Sequence, residues 1–252
     1  MNIRIKTLKK RKFVNPILIC GIPGSGYVGK LAVDHLLNEY EATTICEIQS
    51  DLFPPQISTN NGIIENMSNT IYHIETKKPR NDILILTGDT QPITERGNYI
   101  VTEKIIEYAQ NLGIKKIFTL AAYITGEFVK EPRVFGAATK KKHVKTLKKY
   151  GINIMNQGMI TGMNGILIGT AKIRGIEGYS LLGETSGYTI DPNSSRAVLE
   201  SLSKILKMEI NLEKLIDKIN ESNELMSQVE GMKSKTEGIE YSNKDNSSQY
   251  IS

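Results

Sequence analysis

Short apolar runs alternate with amphipathic stretches along most of this 252-residue chain, and that rhythm constrains its fold more than anything else in it. Pro16–Cys20 (PILIC), Thr43–Ile48 (TTICEI), Asp82–Leu86 (DILIL), Lys116–Ala121 (KIFTLA), Ile152–Met155 and Tyr179–Leu182 are too brief for helices and read as buried strands. Between them, Lys30–Tyr40 carries Val33, Leu36, Leu37 and Tyr40 at helical spacing. Val101, Ile105, Tyr108, Ala109 and Leu112 form a second stripe, closed by Gly113. Thr139–Tyr150 predicts a basic helix, and Asn164–Lys172 a helix weakened by the interior Gly169. Strand followed by helix, repeated, predicts an α/β fold with a mostly parallel sheet sandwiched between helices.

Asp191-Pro192 marks a helix start, with a carboxylate at the N-cap and proline in the first turn, and Val198, Leu202, Ile205 and Leu206 follow on one face. Asn211 opens a further helix that reaches about Val229. Beyond Gly231 the composition turns to Ser, Asn, Lys, Glu and Gly. The expectation is one α/β/α domain over 1–230, C-terminal helix included, and a flexible tail over 231–252. Gly62–Ile64 and Thr70–Ile74 are expected to form a hairpin over Asn66–Asn69.

Several function classes recede on composition. No run approaches the ~20 apolar residues of a membrane span, and the basic N-terminus leads into turn chemistry rather than a cleavage site. Cys20 and Cys46 lack metal-ligand spacing and read as buried thiols, which points to a reducing, cytoplasmic setting. The formal charge of +5 is concentrated in Lys9–Lys12 and Lys140–Lys149. No nucleic-acid motif or interleaved aromatics accompany those runs, so they read as solvated faces. His35, His73 and His143 have no ligand spacing, and no G-x-S-x-G nucleophile elbow occurs.

The most conspicuous local motif is Gly21-Ile-Pro-Gly24-Ser-Gly26-Tyr-Val-Gly29-Lys30, set between a strand and a helix. Gly24, Gly26 and Gly29 match G-x-G-x-x-G, and Glu47 stands where a ribose-binding acid would. Such a turn could hold a phosphate on the helix N-terminus, with Lys30 beside it. Leu31 occupies the place of the Ser or Thr that a P-loop needs. The competing reading is architectural: a tight strand-to-helix turn recruits glycine for positive φ and close packing. Asp51, Asp89, Glu127 and Glu184 each follow a predicted strand, with Gln91, Tyr123 and Thr185 nearby, where open α/β sheets bind ligands. They form either a polar pocket or a set of loop-pinning caps, and the second reading is favoured.

Further motifs follow in order: D-L-F-P-P-Q (Asp51–Gln56), G-D-T-Q-P (Gly88–Pro92), T-L-A-A-Y-I-T-G (Thr119–Gly126), G-M-I-T-G-M-N-G-I-L-I-G (Gly158–Gly169) and G-I-E-G-Y-S-L-L-G-E-T-S-G (Gly175–Gly187). From about Pro16 to Leu225 the chain resembles the proteasome-assembly-chaperone family, in particular archaeal members related to the second eukaryotic chaperone. That resemblance implies an α/β/α sandwich similar to nucleoside phosphorylases and homo-oligomeric assembly. It also implies binding to 20S proteasome α-subunits or the assembled core, no established catalytic residues and no cofactor. Some members end in hydrophobic–tyrosine–any residue. This chain ends Gln249-Tyr250-Ile251-Ser252, with tyrosine third from the end, and Tyr250 and Ile251 are the candidate partner-binding residues of that tail. The expected function is a non-enzymatic adaptor; the alternative is a nucleotide- or nucleoside-binding enzyme, phosphorylase-like or an ATP-dependent ligase, built on the glycine turn.

Overall fold

A computed structural model describes residues 2–76 and 81–217. The chain divides into two units at Asn211/Leu212, and the fold below is that of the first. Its framework is a nine-stranded sheet in the order β1-β3-β6-β7-β2-β8-β11-β9-β10. In chain order these are β1 (Ile3–Thr7), β2 (Ile17–Cys20), β3 (Ala42–Ser50), β6 (Asn69–Ile74), β7 (Ile83–Gly88), β8 (Lys116–Ile124), β9 (Val134–Ala138), β10 (Asn153–Ile154) and β11 (Glu177–Thr185). β4 (Ile57–Asn60) and β5 (Ile63–Asn66) form a separate hairpin.

The centre, β7-β2-β8-β11, is parallel, and β1, β3, β6 and β9 join by antiparallel pairings. β2 is buried at every position, as expected of a strand covered on both faces. Leu18, Cys20, Leu84 and Leu86 face a layer made by α2 (Glu95–Asn111) and α4 (Gly162–Ile173), which pack on each other. On the opposite face lie α1 (Val28–Glu39) and α5 (Pro192–Leu206), again packed together, and α3 (Lys141–Lys149) covers β9 and β10. This is the α/β/α sandwich the sequence rhythm implies.

The helix signals act as expected. Thr94 Oγ1 accepts from Gly97 N at 3.0 Å to cap α2, and Asp191 Oδ1 accepts from Ser194 N at 2.9 Å to cap α5, which carries Pro192 in its first turn.

Two local outcomes differ from expectation. The hairpin runs over Asn61-Gly62, both at positive φ (49° and 81°), which suits a tight two-residue turn; β4 pairs with β5, whereas β6 lies between β3 and β7. β1 is hidden in a stretch of alternating apolar and basic residues, and β9 (VFGAA) is short and glycine-broken. Most of the helix expected from Asn211 to Val229 lies outside the described residues, as do the boundary at Gly231 and the tail.

A candidate interaction face at the carboxyl edge of the sheet

β2, β3, β7, β8 and β11 all run in one direction, so their carboxyl ends, the starts of α1, α2, α4 and α5, and the β4–β5 hairpin share one edge. The glycine turn lies at its middle. Gly26 (φ 61°) and Tyr27 (φ 52°) are both left-handed, which reverses the chain into α1. A Cβ on Gly29 would stand 2.0 Å from the Leu120 carbonyl oxygen, so glycine is what lets α1 rest directly on β8. The Gly26 carbonyl accepts from Asp191 N at 2.9 Å, and Val28 O accepts from Ser195 Oγ at 3.0 Å. The turn thereby joins the start of α1 to the start of α5. A Cβ on Gly24, by contrast, would meet nothing closer than 3.9 Å. Lys30 Nζ is drawn along its own helix to Asp34, at 2.6 and 2.7 Å from the two carboxylate oxygens. Glu47 sits within β3 opposite Lys6, and β6 and β7 intervene between β3 and β2.

The polar residues of this edge are spread along it and serve the backbone. Gln91 Oε1 accepts from Met163 N at 2.7 Å, its amide nitrogen donates to Pro23 O, and Asn164 Nδ2 reaches Ile22 O at 3.5 Å. Together they tie the glycine turn, the loop after β7 and the start of α4. Asp89 Oδ2 accepts from Ser68 N at 3.2 Å, and Asp51 Oδ2 accepts from Asn2 N at 3.0 Å. Asp51 also lines a cleft of about 290 Å³ with Arg4, Gln49, Gln56 and Asn66. Glu127 is exposed in the loop after β8, and Tyr123 stacks on Phe135 with centroids 3.9 Å apart. Thr185 Oγ1 accepts from Gly187 N at 3.3 Å.

Glu184 is the most committed of the acids. Its buried carboxylate accepts from Arg133 Nε at 2.9 Å, Arg133 Nη2 at 2.6 Å and the Arg133 backbone N–H at 3.1 Å. Those hydrogen bonds hold its pKa below the usual carboxylate range, against the opposing effect of burial. The arginine is thus a clamp between β11 and the loop entering β9.

Other reactive side chains are engaged or shielded. Burial pushes the Cys46 thiol up to about 11 and the Cys20 thiol higher still, so neither supplies a thiolate near neutrality. His73 Nε2 faces Asp82 Oδ1 at 2.9 Å, and His35 Nε2 lies 2.7 Å from the Asn211 carbonyl. Among the described residues no group of His, Cys, Asp and Glu could hold a metal ion, and no helix is long and apolar enough to cross a membrane.

Among its exposed polar residues the edge also displays large apolar side chains. Tyr27, Ile57, Ile63, Ile64, Ile93, Ile124, Phe128, Met159, Tyr188 and Ile190 are all exposed in the loops or the hairpin at this edge, or beside them, and Tyr99 is exposed near the start of α2. Phe128 is 66% exposed, Tyr188 78% and Met159 87%. At the centre they adjoin: Ile124 packs over Gly187, and the Tyr188 hydroxyl lies beside Gly126. Helix-period and strand-period reasoning passes over Ile93, Phe128, Met159, Tyr188 and Ile190, because they fall in loops. The usable signal is an aromatic or isoleucine beside glycine, as in Gly126-Glu-Phe128 and Gly187-Tyr188-Thr-Ile190.

The sequence pattern of the PAC2 family matches residues 18–230. The chain belongs to the PAC2 family. Among solved structures, PbaB of Pyrococcus furiosus, described as an archaeal proteasome activator, is 34% identical; the match covers 90% of this chain and 98% of that one with a TM-score of 0.85. PbaA of the same organism, described as an archaeal homolog of proteasome-assembly chaperone, is 26% identical over 97% of this chain and 99% of its own, with a TM-score of 0.77. An uncharacterized protein of Methanocaldococcus jannaschii is 37% identical over 203 residues, which is 80% of this chain and 78% of that one. The expected family resemblance is thereby confirmed, and the PAC2 core contains both the glycine turn and the apolar edge.

Proposed function

We propose that this PAC2 protein is a non-enzymatic, proteasome-binding adaptor of the assembly-chaperone type, acting in the cytoplasm as a homo-oligomer. The observation that carries this reading is the carboxyl edge. Where an α/β enzyme would hold converging catalytic groups, Gln91, Asp89, Asp51 and Glu184 bond to backbone or arginine, and large apolar side chains such as Phe128, Met159 and Tyr188 stand exposed in the loops. Large apolar side chains left exposed along one edge suit burial against protein. The proteasome as partner, and its α-subunits in particular, follows from the likeness to PbaA and PbaB. Repetition of the same face in an oligomer would add weak contacts into useful avidity. The Tyr250–Ile251 tail, outside the described residues, is a second proposed contact in the same role.

Gly24, Gly26, Gly29, Lys30 and Glu47 belong on this reading to the architecture, and no observation specifically favours nucleotide chemistry. The direct test is a pull-down with purified 20S α-subunits and with the assembled core, using the full chain and a chain ending at residue 230. Capture of the core by the full chain supports the proposal. Failure of both chains to capture either form removes it.

A further inference from the structure

β1 is the terminal strand of the large sheet, and among the described residues β3 alone pairs with it. The register sets Ile3 against Ser50 and Thr7 against Cys46. Asp51 N donates to Asn2 O at 3.3 Å, and Leu8 N donates to Ile45 O at 2.8 Å. Bonded and non-bonded pairs alternate along an antiparallel ladder, so Asn2, Arg4 and Lys6 turn their backbone groups toward β3. Ile3, Ile5 and Thr7 therefore turn their N–H and C=O groups the other way, onto the open side. Such an edge is a ready template for an added strand.

The side chains state what kind of strand would fit. Ile3 and Ile5 pack on the core, whereas Arg4 and Lys6 stand exposed on the other face, where Gln49 lies opposite Arg4 and Glu47 opposite Lys6. Lys9, Lys10 and Lys12 continue the positive charge just past the strand, all exposed, and Arg11 is paired with Glu75 at 3.4 Å. A second copy laid antiparallel on β1 would set Arg4 of one chain against Lys6 of the other, and like charges directly opposite are destabilising. At its start the strand opens onto the 290 Å³ cleft, where Gln49, Gln56 and Asn66 offer amide groups beside Arg4, and the Asp51 carboxylate in the lining accepts from Asn2 N. Amides suit peptide groups, and Arg4 suits a carboxylate.

We propose that β1 is a docking edge for an acidic, extended segment of a partner polypeptide, added to the sheet as a further strand with its acids on the Arg4 and Lys6 face. The proposal is independent of the proteasome as partner, since any acidic strand-forming segment would satisfy it.

A fluorescein-labelled peptide alternating glutamate with valine and threonine is the probe, with fluorescence anisotropy as the readout on the full chain. The informative variant is Thr7→Pro, which removes an outward N–H and leaves the β1–β3 bonds in place, where an edge proline is tolerated. Thr7→Ala is its control, because both lose the 3.0 Å contact between Thr7 Oγ1 and the Tyr108 hydroxyl. The expected result is saturable binding, weakened about tenfold by Thr7→Pro and within about twofold of the parent in Thr7→Ala. Lys6→Glu should weaken binding and flatten its salt dependence. In the unmodified protein, amide exchange at Ile3, Ile5 and Thr7 should slow when peptide is bound, a readout that stands even if Thr7→Pro fails to fold. No saturable binding overturns the proposal. So does unchanged exchange at those amides, or a proline-interrupted glutamate peptide that binds equally well, since either would reduce the affinity to plain charge attraction.

Discussion

Arg133 grips the Glu184 carboxylate through parallel bonds from Nε and Nη2, at 2.9 and 2.6 Å, while its own backbone N–H donates to the same group at 3.1 Å. The acid is buried, with 4% of its side chain exposed, and the arginine is 62% exposed, so the pair closes the end of β11 like a clasp fastened from outside. Glu184→Ala should lower unfolding stability by about 2 kcal/mol through loss of charge-assisted hydrogen bonds, read from urea denaturation. The pH dependence has a definite sign. Because the folded-state pKa lies below the usual carboxylate value, this stabilisation is complete above about pH 4.3 and is lost as pH falls through the lower folded value. Glu184→Gln should therefore show a shallower loss of stability on acidification than the parent protein.

Gly29 and Gly24 separate an architectural turn from a phosphate cradle. Gly29→Ala would bring a methyl group to 2.0 Å from the Leu120 carbonyl oxygen, and should destabilise by about 3 kcal/mol or prevent folding. At Gly24, where φ is −166° and the nearest atoms to an added Cβ lie at 3.9 Å, Gly24→Ala should change stability by under about 0.5 kcal/mol and leave partner binding intact. Thermal melts and the 20S pull-down check both. A nucleotide enzyme would show the opposite emphasis, with Gly24→Ala impairing ligand binding in a folded protein.

His143 supplies a second pH signature. Its ring lies 4.8 Å from that of Tyr179, and its Nε2 is 3.4 Å from a Glu177 oxygen. Burial is the largest influence and lowers its pKa; Glu177 opposes it, and Lys142, Lys140 and Lys116 add to the lowering. The unfolded chain thus binds the proton more readily, so stability is full above the ordinary histidine value of about 6.5 and declines below it. The hydrogen bond from Lys142 holds the Glu177 pKa down, so Glu177 stays ionised through this window. His143→Gln should remove the decline that sets in below about pH 6.5, measured by chemical denaturation at each pH.

The parallel core is readable in the sequence because each central strand is a continuous apolar run, such as Ile17–Cys20, and each covering helix carries an apolar stripe. The caps at Thr94 and Asp191 differ in visibility: Asp191-Pro192 is a recognised start signal, whereas Thr94 shows its role only through its bond to Gly97. β1 escapes notice because an edge strand half-covered on one face mixes isoleucine with Arg4 and Lys6, and it merges into the basic run. The hairpin is misplaced by pattern alone because Asn66–Asn69 resembles a turn, yet Asn61-Gly62 supplies both positive-φ positions. At the candidate site, sequence order puts the acids at the correct edge but cannot show where their oxygens point. Glu184 illustrates this, since its partner Arg133 lies outside every motif. The apolar edge is missed for a related reason: exposure is a property of the assembled loops, and Tyr188 carries no periodic neighbour that would mark it.

Phe128 and Tyr188 are both exposed at this edge, in loops with glycine neighbours and little buried area of their own. Phe128→Ser with Tyr188→Ser should leave the melting temperature within about 2 °C of the parent, since exposed loop positions contribute little to folding. Light scattering after size exclusion should show a smaller assembly if the face joins subunits, and an unchanged one if it is reserved for the partner.

The affinity of the intact chain for immobilised 20S core particles, measured by biolayer interferometry beside the Phe128→Ser, Tyr188→Ser variant, tests most directly whether this face binds the proteasome. Saturable binding by the parent, weakened about tenfold or more in the variant, is the predicted result. Absence of binding by the parent, or equal binding by a correctly folded variant, would contradict it.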